Sequence, residues 1–302
     1  MNANGGSSRK AVLAFVVTTL VWGSTWLVIK GQLGAVPLAW SVTWRFALAA
    51  ATMFALAAIA GQQLRLETPV LGYVAVTGLF QFFLNFQLVY ASERYLTSGL
   101  VAVLFALMLV PNALLGRIVF GNPLSGRFLA GSGVALAGIG LLVLHEYRAA
   151  PAGSQAVLTG AAFAALSILC ASIGNIMQAA PTLRQQPGFT VLAWSMLAGT
   201  MGNALWAWAS SGPPQIEWSA AYLGGLAYLA LIGSVLTFPL YLLLLRSWGP
   251  GRAAYNGVAI PVVAMALSTL FEGYRWTGLA AGGAVLAMIG LLIALGGRKA
   301  SS

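Results

Sequence analysis

The chain has 302 residues, of which 60% are hydrophobic and only 7% are charged, and its mean hydropathy is +0.88. Soluble domains carry about 25% charged residues, so this composition excludes a water-soluble fold. The net charge of +10 does not indicate a nucleic-acid partner, because the basic residues are scattered and form no patch with interleaved aromatic side chains. The single cysteine, Cys170, excludes an internal disulfide.

Taken in chain order, the apolar runs predict ten membrane-spanning helices, because a helix of about 20 apolar residues crosses a bilayer core. The first five predicted spans are Ala11–Ile29, Leu38–Ala60, Pro69–Ala91, Leu96–Phe120 and Arg127–Leu144. The second five are Val157–Ala180, Thr190–Ser210, Ala220–Leu245, Ala253–Phe271 and Thr277–Leu295. The longest connection, around residues 145–155, is expected to join two domains, residues 1–150 and 151–302.

The second half of the chain repeats features of the first half. Pro111 inside one apolar run is matched by Pro261 inside another, and Gly140 is matched by Gly290, each 150 residues later. Each half contains five predicted spans, an odd number, so the second half must enter the membrane inverted relative to the first. Inverted repeats are typical of secondary transporters, whose substrate site lies between the repeats. The sequence therefore predicts an all-α polytopic membrane protein with ten transmembrane helices in two inverted five-helix repeats.

Lys and Arg are distributed unequally between the two sides of the predicted bundle. If the N-terminus is cytoplasmic, ten of the 15 basic residues fall on inner segments. Four fall on outer loops, namely Lys30, Arg94, Arg148 and Arg275, and Arg45 lies within a span. The positive-inside rule then predicts that both termini are cytoplasmic. We expect a multi-pass protein of the bacterial inner membrane.

Polar side chains inside spans are candidates for a substrate cavity, because burying them in a bilayer is costly. The third and sixth spans each place two amides on one helix face, and amides donate and accept hydrogen bonds without charge. The residues of this predicted amide cavity are Gln81, Phe82 and Asn85 in the third span and Ser172, Asn175 and Gln178 in the sixth. The alternative is hydrogen bonding between helices, worth about 0.6–2 kcal/mol for each bond.

The first and second spans add aromatic and charged candidates. Trp22 and Thr25 share one face of the first span, and an aromatic pocket with amides would suit a zwitterion that carries a large apolar side chain. Packing of these aromatic residues against neighbouring helices is the alternative. Arg45 lies in the second span, where its guanidinium could bind a substrate carboxylate. The favoured alternative is that Arg45 extends to the outer interface or stabilises a helix end.

Helix-breaking and gating residues are predicted from prolines and tyrosines within or near the ends of spans. A proline frees a backbone carbonyl inside the membrane, which indicates either a hinge or a static kink. The predicted hinge and gate residues are Pro111, Pro239, Pro261, Tyr90, Tyr241 and Tyr255. Glycines with small-xxx-small spacing predict close helix packing within the monomer. These are Gly131, Gly133 and Gly138 in the fifth span and Gly278, Gly282 and Gly283 in the tenth.

Motifs in several spans resemble the EamA-type transporters of the drug/metabolite transporter superfamily. The Trp22–Trp26 segment, Trp-Gly-Ser-Thr-Trp, looks like the family's first-helix motif, and Arg45-Phe46 matches its second-helix Arg-Phe pair. The stretch from Tyr90 to Leu144 resembles the family's third-to-fifth helix signature. The resemblance covers essentially the whole chain and is closest to the YddG-type aromatic amino-acid exporters.

One feature of the family pattern occurs in only one half of the chain. The signature pairs a helix proline with a Glu at the helix end, and Pro261 and Glu272 fit it with a spacing of eleven residues. The same spacing from Pro111 reaches Asn122, so the first half lacks this Glu. A symmetric pair of end carboxylates is therefore not expected.

The resemblance implies a transporter that exports amino acids, aromatic or neutral, or related metabolites by alternating access. No acidic residue falls in the middle of a span, which favours uniport or exchange over proton antiport. The alternative is a carrier of the same fold for a sugar conjugate, a nucleotide-sugar or a drug. An enzyme is not expected, because the lone His145 lies at a span end with no embedded acid. We expect no catalytic residue, metal or cofactor, and one chain suffices as a monomer with a small-molecule substrate in the lipid bilayer.

Overall fold

The computed structural model describes residues 3–149 and 154–296, and this described part is helical, with no β-strand. The long helices of the first half are α1 (Ala3–Gly31), α2 (Leu38–Ile59), α3 (Thr68–Glu93), α4 (Ser98–Phe120) and α5 (Gly126–Ala149). Those of the second half are α6 (Ser154–Ala179), α7 (Gly188–Ser211), α8 (220–253), α9 (Asn256–Phe271) and α10 (Gly278–Gly296). A single helical turn, Pro181–Arg184, precedes α7.

Eight of the described helices are long and apolar enough to cross a membrane: α1 to α6, α8 and α10. Helix α9 is apolar but has only 16 residues. Helix α7 has 24 residues but is less apolar, since it carries three Trp and Asn203. The prediction of an all-α polytopic membrane protein is thereby confirmed, while ten spans and their inversion stay predictions.

The two halves of the chain interleave. Helix α5 packs on α10, α2 on α7 and α4 on α9, so each of these helices contacts its counterpart in the other half. Helix α1 packs on α8 and α9, and correspondingly α6 packs on α3 and α4. Each helix has a counterpart five helices away in the other half, such as α6 for α1 and α7 for α2. When every helix is exchanged for its counterpart, the same set of contacting pairs results. Each of these helices is therefore supported by a helix of the other half.

Glycines bring the backbones of α5 and α10 into direct contact. A Cβ placed on Gly138 would lie 2.7 Å from the carbonyl oxygen of Gly283 and 2.8 Å from Ala287 Cα, closer than real Cβ atoms approach. A Cβ on Gly290 would lie 2.7 Å from Ala135 Cα. Of the glycines predicted to pack, Gly131, Gly138 and Gly283 lie in this interface, whereas Gly133, Gly278 and Gly282 have no neighbour within 4 Å of such a Cβ.

Helices α3 and α8 each contain a π-helical segment, Gly78–Leu84 in α3 and Tyr228–Leu236 in α8. The two segments begin 150 residues apart, the same offset that separates Pro111 from Pro261. In α8, Pro239 follows the segment; it has no N–H and its ring displaces the preceding turn. π-Helical segments are rare in proteins, and those that do occur are often found at functional sites.

The remaining predicted hinge prolines differ from each other. Helix α4 is interrupted at Leu107 and Met108, immediately before Pro111, as expected if the ring excludes the preceding carbonyl. Pro261 instead lies inside the uninterrupted helix α9. The ninth span is predicted to begin at Ala253, but Ala254 and Tyr255 form a turn. Helix α9 therefore begins at Asn256, three residues later than predicted.

Candidate substrate site

A buried guanidinium lies where α2, α3 and α8 meet. Arg45 is 3% exposed, although it is only seven residues into α2, about 10 Å along the helix axis. Its Nη2 atom donates to Ser234 Oγ over a long 3.4 Å. Its Nε and Nη1 atoms have no hydrogen-bond partner in the described part of the protein. The side chain therefore does not extend to the interface, and its stabilising a helix end stays a prediction.

Two phenylalanine rings hold this guanidinium in place. The Cζ atom of Arg45 lies 4.5 Å from the ring centroid of Phe86, on α3, and 5.3 Å from that of Phe46, on α2. The rings of Phe46 and Phe86 also pack on each other, with centroids 4.7 Å apart. Cation–π contacts at desolvated positions are worth about 2 kcal/mol. The rings orient the charge but supply no acceptor for its N–H groups.

Helix α1 approaches the same place through Trp22 and Thr25. The indole Nε1 of Trp22 donates to the carbonyl of Gly233, in the π-helical segment of α8, over 3.1 Å. A Cβ on Gly233 would lie 2.9 Å from Thr25 Cγ2 and 3.9 Å from Arg45 Nη2. The absence of a side chain at Gly233 thus allows Thr25 to approach α8 closely, beside Arg45. The structure brings these two predicted site residues, Trp22 and Thr25, beside Arg45.

Aromatic side chains extend this site along α8. The Trp22 ring centroid lies 5.8 Å from that of Phe238 and 5.2 Å from that of Tyr241, a predicted gate residue. The hydroxyl of Tyr228, also on α8, shares a 2.7 Å hydrogen bond with the hydroxyl of Ser24 on α1. The half-buried face of α1 is therefore lined by rings whose polar atoms face neighbouring helices. Such a surface suits the apolar side chain of a solute.

Two further buried donors lie in the same hydrophobic cluster. Tyr90, predicted as a gate residue, is 1% exposed. Its hydroxyl has no partner of ordinary hydrogen-bond geometry among the described residues, but it lies close enough to Arg45 for a weak hydrogen bond. The indole nitrogen of Trp26, which packs against this cluster, is also without a partner in that part of the chain. Buried polar groups normally find partners, so such unpaired donors mark this region as unusual.

The amides of α3 contact α6. The hydroxyl of Ser167 donates to Asn85 Oδ1 over 2.7 Å, while Asn85 Nδ2 donates to the backbone carbonyl of Gln81 over 3.2 Å. Gln81 packs directly on Gly174, and its Oε1 atom has no partner among the described residues. Phe82, between them in sequence, is completely buried. These contacts join two helices, as the alternative interpretation expects.

The predicted residues of α6 contact α4 and their own helix. Asn175 Nδ2 lies 3.4 Å from Asn112 Oδ1 and 3.6 Å from Met108 Sδ, next to the break in α4. Ser172 Oγ donates to the carbonyl of Ile168 one turn earlier, and Gln178 is half-buried. Of the predicted amide cavity, Gln81 and Asn85 therefore lie at the α3–α6 contact and Asn175 lies at the α4–α6 contact, whereas Phe82 packs on α2 and α8. Whether they line a cavity stays a prediction.

Charged and polar groups tie together the helix ends on the predicted outer side. Lys30 Nζ, near the end of α1, donates to the carbonyl of Leu96 over 2.7 Å and to that of Glu93. Glu272, after α9, accepts hydrogen bonds from Ser98 N over 3.1 and 3.2 Å and from Ser98 Oγ. Glu93 is completely buried. These contacts, which join the ends of α1, α3, α4 and α9, form what we call the outer latch.

Sequence reasoning named Trp22 and Thr25 as site residues and Tyr90 and Tyr241 as gate residues, but it missed the contacts that the π-helical segment of α8 makes. Gly233 and Ser234 lie in an apolar run that gives no signal of a site. The predicted gate residue Tyr255 lies in the turn before α9 and is 40% exposed, away from the buried donors. The offset of 150 residues between the two π-helical segments is visible only in the structure.

Comparison with known proteins gives a family and relatives of full length. The EamA-like transporter family matches residues 9–144 and 157–296. A Salmonella typhimurium protein named "Probable amino-acid metabolite efflux pump" is 30% identical, covering 95% of both chains. A Streptantibioticus cattleyicolor protein named "Probable terminal-alkyne amino-acid exporter" is 24% identical, covering 97% of both chains.

A further relative and a solved structure match at similar levels. The Escherichia coli protein named "Uncharacterized inner membrane transporter YedA" is 27% identical, covering 84% of this chain and 80% of its own length. A crystal structure with 20% sequence identity superposes with a TM-score of 0.70 and covers 97% of this chain and 99% of its own. This last similarity concerns the fold alone.

Proposed function

Since the chain belongs to the EamA-like transporter family, we propose that it is an inner-membrane transporter that exports amino acids, aromatic or neutral, or closely related metabolites. It acts as a carrier and not as an enzyme. The observation that carries the proposal is the site at α1, α2 and α8, where aromatic rings, a fixed cation and hydroxyl groups meet. Such a site suits a small zwitterion with an apolar side chain. The names of the full-length relatives support the same substrate class.

We propose that transport proceeds by alternating access, through exchange of the conformations of two inverted five-helix repeats. Two observations support this mechanism. The set of helix pairs is unchanged when the halves are exchanged, and both π-helical segments occupy equivalent positions. Opening to the outside would require the outer latch to separate, because it joins helices of both halves. The break before Pro111 and the π-helical segment before Pro239 provide positions where α4 and α8 bend.

Transport is proposed to be uniport or exchange. The acidic residues lie at or near helix ends and not in the middle of the bundle. They are Glu67 before α3, Glu93 ending α3, Glu146 in the last turn of α5, Glu217 before α8 and Glu272 after α9. A carboxylate relay for protons is thus not supported at mid-membrane depth. The protein is proposed to act as a monomer in the bilayer with both termini in the cytoplasm.

Uptake into inside-out membrane vesicles tests the proposed substrate class. Export corresponds to uptake in this orientation, and the panel contains labelled phenylalanine, threonine, a nucleotide-sugar and a cationic drug. We expect uptake of phenylalanine or threonine above vesicles that lack the protein. Uptake of the nucleotide-sugar or the drug without either amino acid would refute the proposal in favour of another carrier function.

A pair of tryptophan variants ties the uptake to the site. Trp22→Ala removes the indole that bonds to Gly233 and packs on Tyr241, so amino-acid uptake should fall strongly. Trp206→Ala is the matched control, because Trp206 is 52% exposed on α7 and should leave uptake unchanged. Equal effects of the two substitutions would remove the site assignment.

A further inference from the structure

We infer that Arg45 binds the carboxylate of the transported solute, with the Tyr90 hydroxyl as a second donor. The inference rests on the proposed function and names the chemistry that the site recognises: one carboxylate with a single negative charge. It decides between the two roles, carboxylate binding and a structural one, that the sequence alone leaves open for Arg45.

The Arg45 charge is buried and, among the described residues, is bonded only to neutral groups. A guanidinium stays protonated in proteins, so burial cannot neutralise it. Arg45 is 3% exposed, and its hydrogen bond to Ser234 Oγ goes to a neutral hydroxyl over 3.4 Å. No carboxylate bonds to it among the described residues. An unpaired buried charge is costly, which an anionic ligand would offset.

The donors of the site are held in a fixed place. The N–H groups on Nε and Nη1 of Arg45 have no partner of ordinary hydrogen-bond geometry in the described structure. The hydroxyl of Tyr90, one helical turn beyond Phe86 on α3, lies close enough to Arg45 to accept a weak bond and keeps its own proton to donate. Phe46 and Phe86 fix the guanidinium through their rings. Guanidinium groups match the two oxygens of a carboxylate in geometry as well as charge. The donors are thus positioned before an anion arrives.

The charge of the site limits which anion fits. Lys30, near the end of α1, bonds to the backbone carbonyls of Glu93 and Leu96, and its charge acts on the buried Glu93 carboxylate. A single guanidinium balances one negative charge, whereas a phosphorylated solute would require further cations. The aromatic surface formed by Trp22 and Tyr241 contacts the same π-helical segment and would receive an apolar group attached to the carboxylate. A carboxylate with an apolar side chain therefore fits the site best.

Ligand-induced thermal stabilisation of the purified full-length protein tests the inference. The probes are phenylalanine, phenylalaninamide, which lacks the negative charge, and 3-phenylpropionate, which lacks the ammonium group. We expect both carboxylates to raise the unfolding temperature and the amide to have no effect. Arg45→Met should weaken carboxylate binding about tenfold or more, because bonds to charged groups are among the strongest. Arg94→Gln, an exposed arginine, is the control and should bind as the wild type does.

The unfolding temperature without ligand separates binding from a structural role. Arg45→Met removes a buried charge and keeps a long side chain, so the variant should unfold at an equal or higher temperature than the wild type. A lower unfolding temperature with unchanged carboxylate binding would mean that Arg45 is structural, and would overturn the inference. Absence of stabilisation by both carboxylates would overturn it as well.

The outcomes also distinguish this inference from the proposed function. Equal binding of phenylalanine and phenylalaninamide, both insensitive to Arg45→Met, would overturn the carboxylate site and leave amino-acid export standing. Binding of 3-phenylpropionate that depends on Arg45, in a protein whose vesicles take up no amino acid, would support the carboxylate site and refute amino-acid export.

Discussion

A single methyl group at Gly138 should separate α5 from α10. In Gly138→Ala the new Cβ would lie closest to the backbone nitrogen of Ala287 and 2.7 Å from the carbonyl oxygen of Gly283. Ordinary contacts begin at 3.4 Å, so the helices must move apart by more than about 0.7 Å. The obstructing atoms belong to the backbone, so no side-chain rotation relieves the contact. Overpacking of this kind costs about 3 kcal/mol, and the helix preference for Ala returns about 1 kcal/mol. We expect a net loss of about 2 kcal/mol in the free energy of unfolding.

Gly140→Ala provides the matched control for this prediction. Gly140 lies on the same helix, two residues away, and a Cβ there has no neighbour within 4 Å. The control should therefore gain up to about 1 kcal/mol from the helix preference alone. Both variants are compared with the wild type by unfolding in mixed micelles, with helicity as the readout. Equal unfolding curves for Gly138→Ala and Gly140→Ala would refute the backbone contact between α5 and α10.

Three further substitutions probe other parts of the structure. Asn203→Leu removes bonds to two backbone carbonyls and leaves Gln87 without its partner, so unfolding in mixed micelles should become easier by about 2 kcal/mol; an unchanged curve would contradict this. Glu272→Gln weakens the acceptor for Ser98 in the outer latch, and should cost about 1 kcal/mol in the same assay. Pro111→Ala restores a backbone N–H in α4, so the protein should become more stable while initial rates of phenylalanine uptake fall; unchanged rates would remove the hinge assignment.

The all-helical fold can be predicted from the sequence, because each long apolar run determines its own secondary structure in a bilayer. A run such as Gly126–Ala149 can satisfy its backbone in a bilayer only as a helix, so its existence follows from length and polarity. The break in α4 lies before Pro111, but Pro261 lies inside the uninterrupted helix α9, so a proline alone does not decide whether a helix breaks. The π-helical segment Gly78–Leu84 contains no proline, and nothing in its sequence indicates it. Its geometry depends on helix contacts that are set by the whole fold.

The residues of the candidate site also fall into two groups, those identified from the local sequence and those that depend on tertiary contacts. Trp22 and Thr25 are identified by their spacing on one helix face, a property of the local sequence. The burial of Arg45 depends on how α3 and α8 close over α2, which no local pattern contains. The sequence does not decide whether Asn85 lines a cavity or bonds to a neighbouring helix, because both roles need a polar side chain. Its hydrogen bond to Ser167 depends on where α6 lies. The residues that require tertiary contacts are the ones that the sequence alone cannot assign.

The central claim of the account, export of amino acids by alternating access, is tested most directly by counterflow. Purified protein is reconstituted into proteoliposomes loaded with unlabelled phenylalanine or threonine, with equal pH and sodium concentration on both sides. The account predicts transient accumulation of the labelled amino acid that requires the unlabelled one inside and needs no ion gradient. Absence of counterflow in folded, reconstituted protein, or accumulation only when a proton or sodium gradient is imposed, would contradict it.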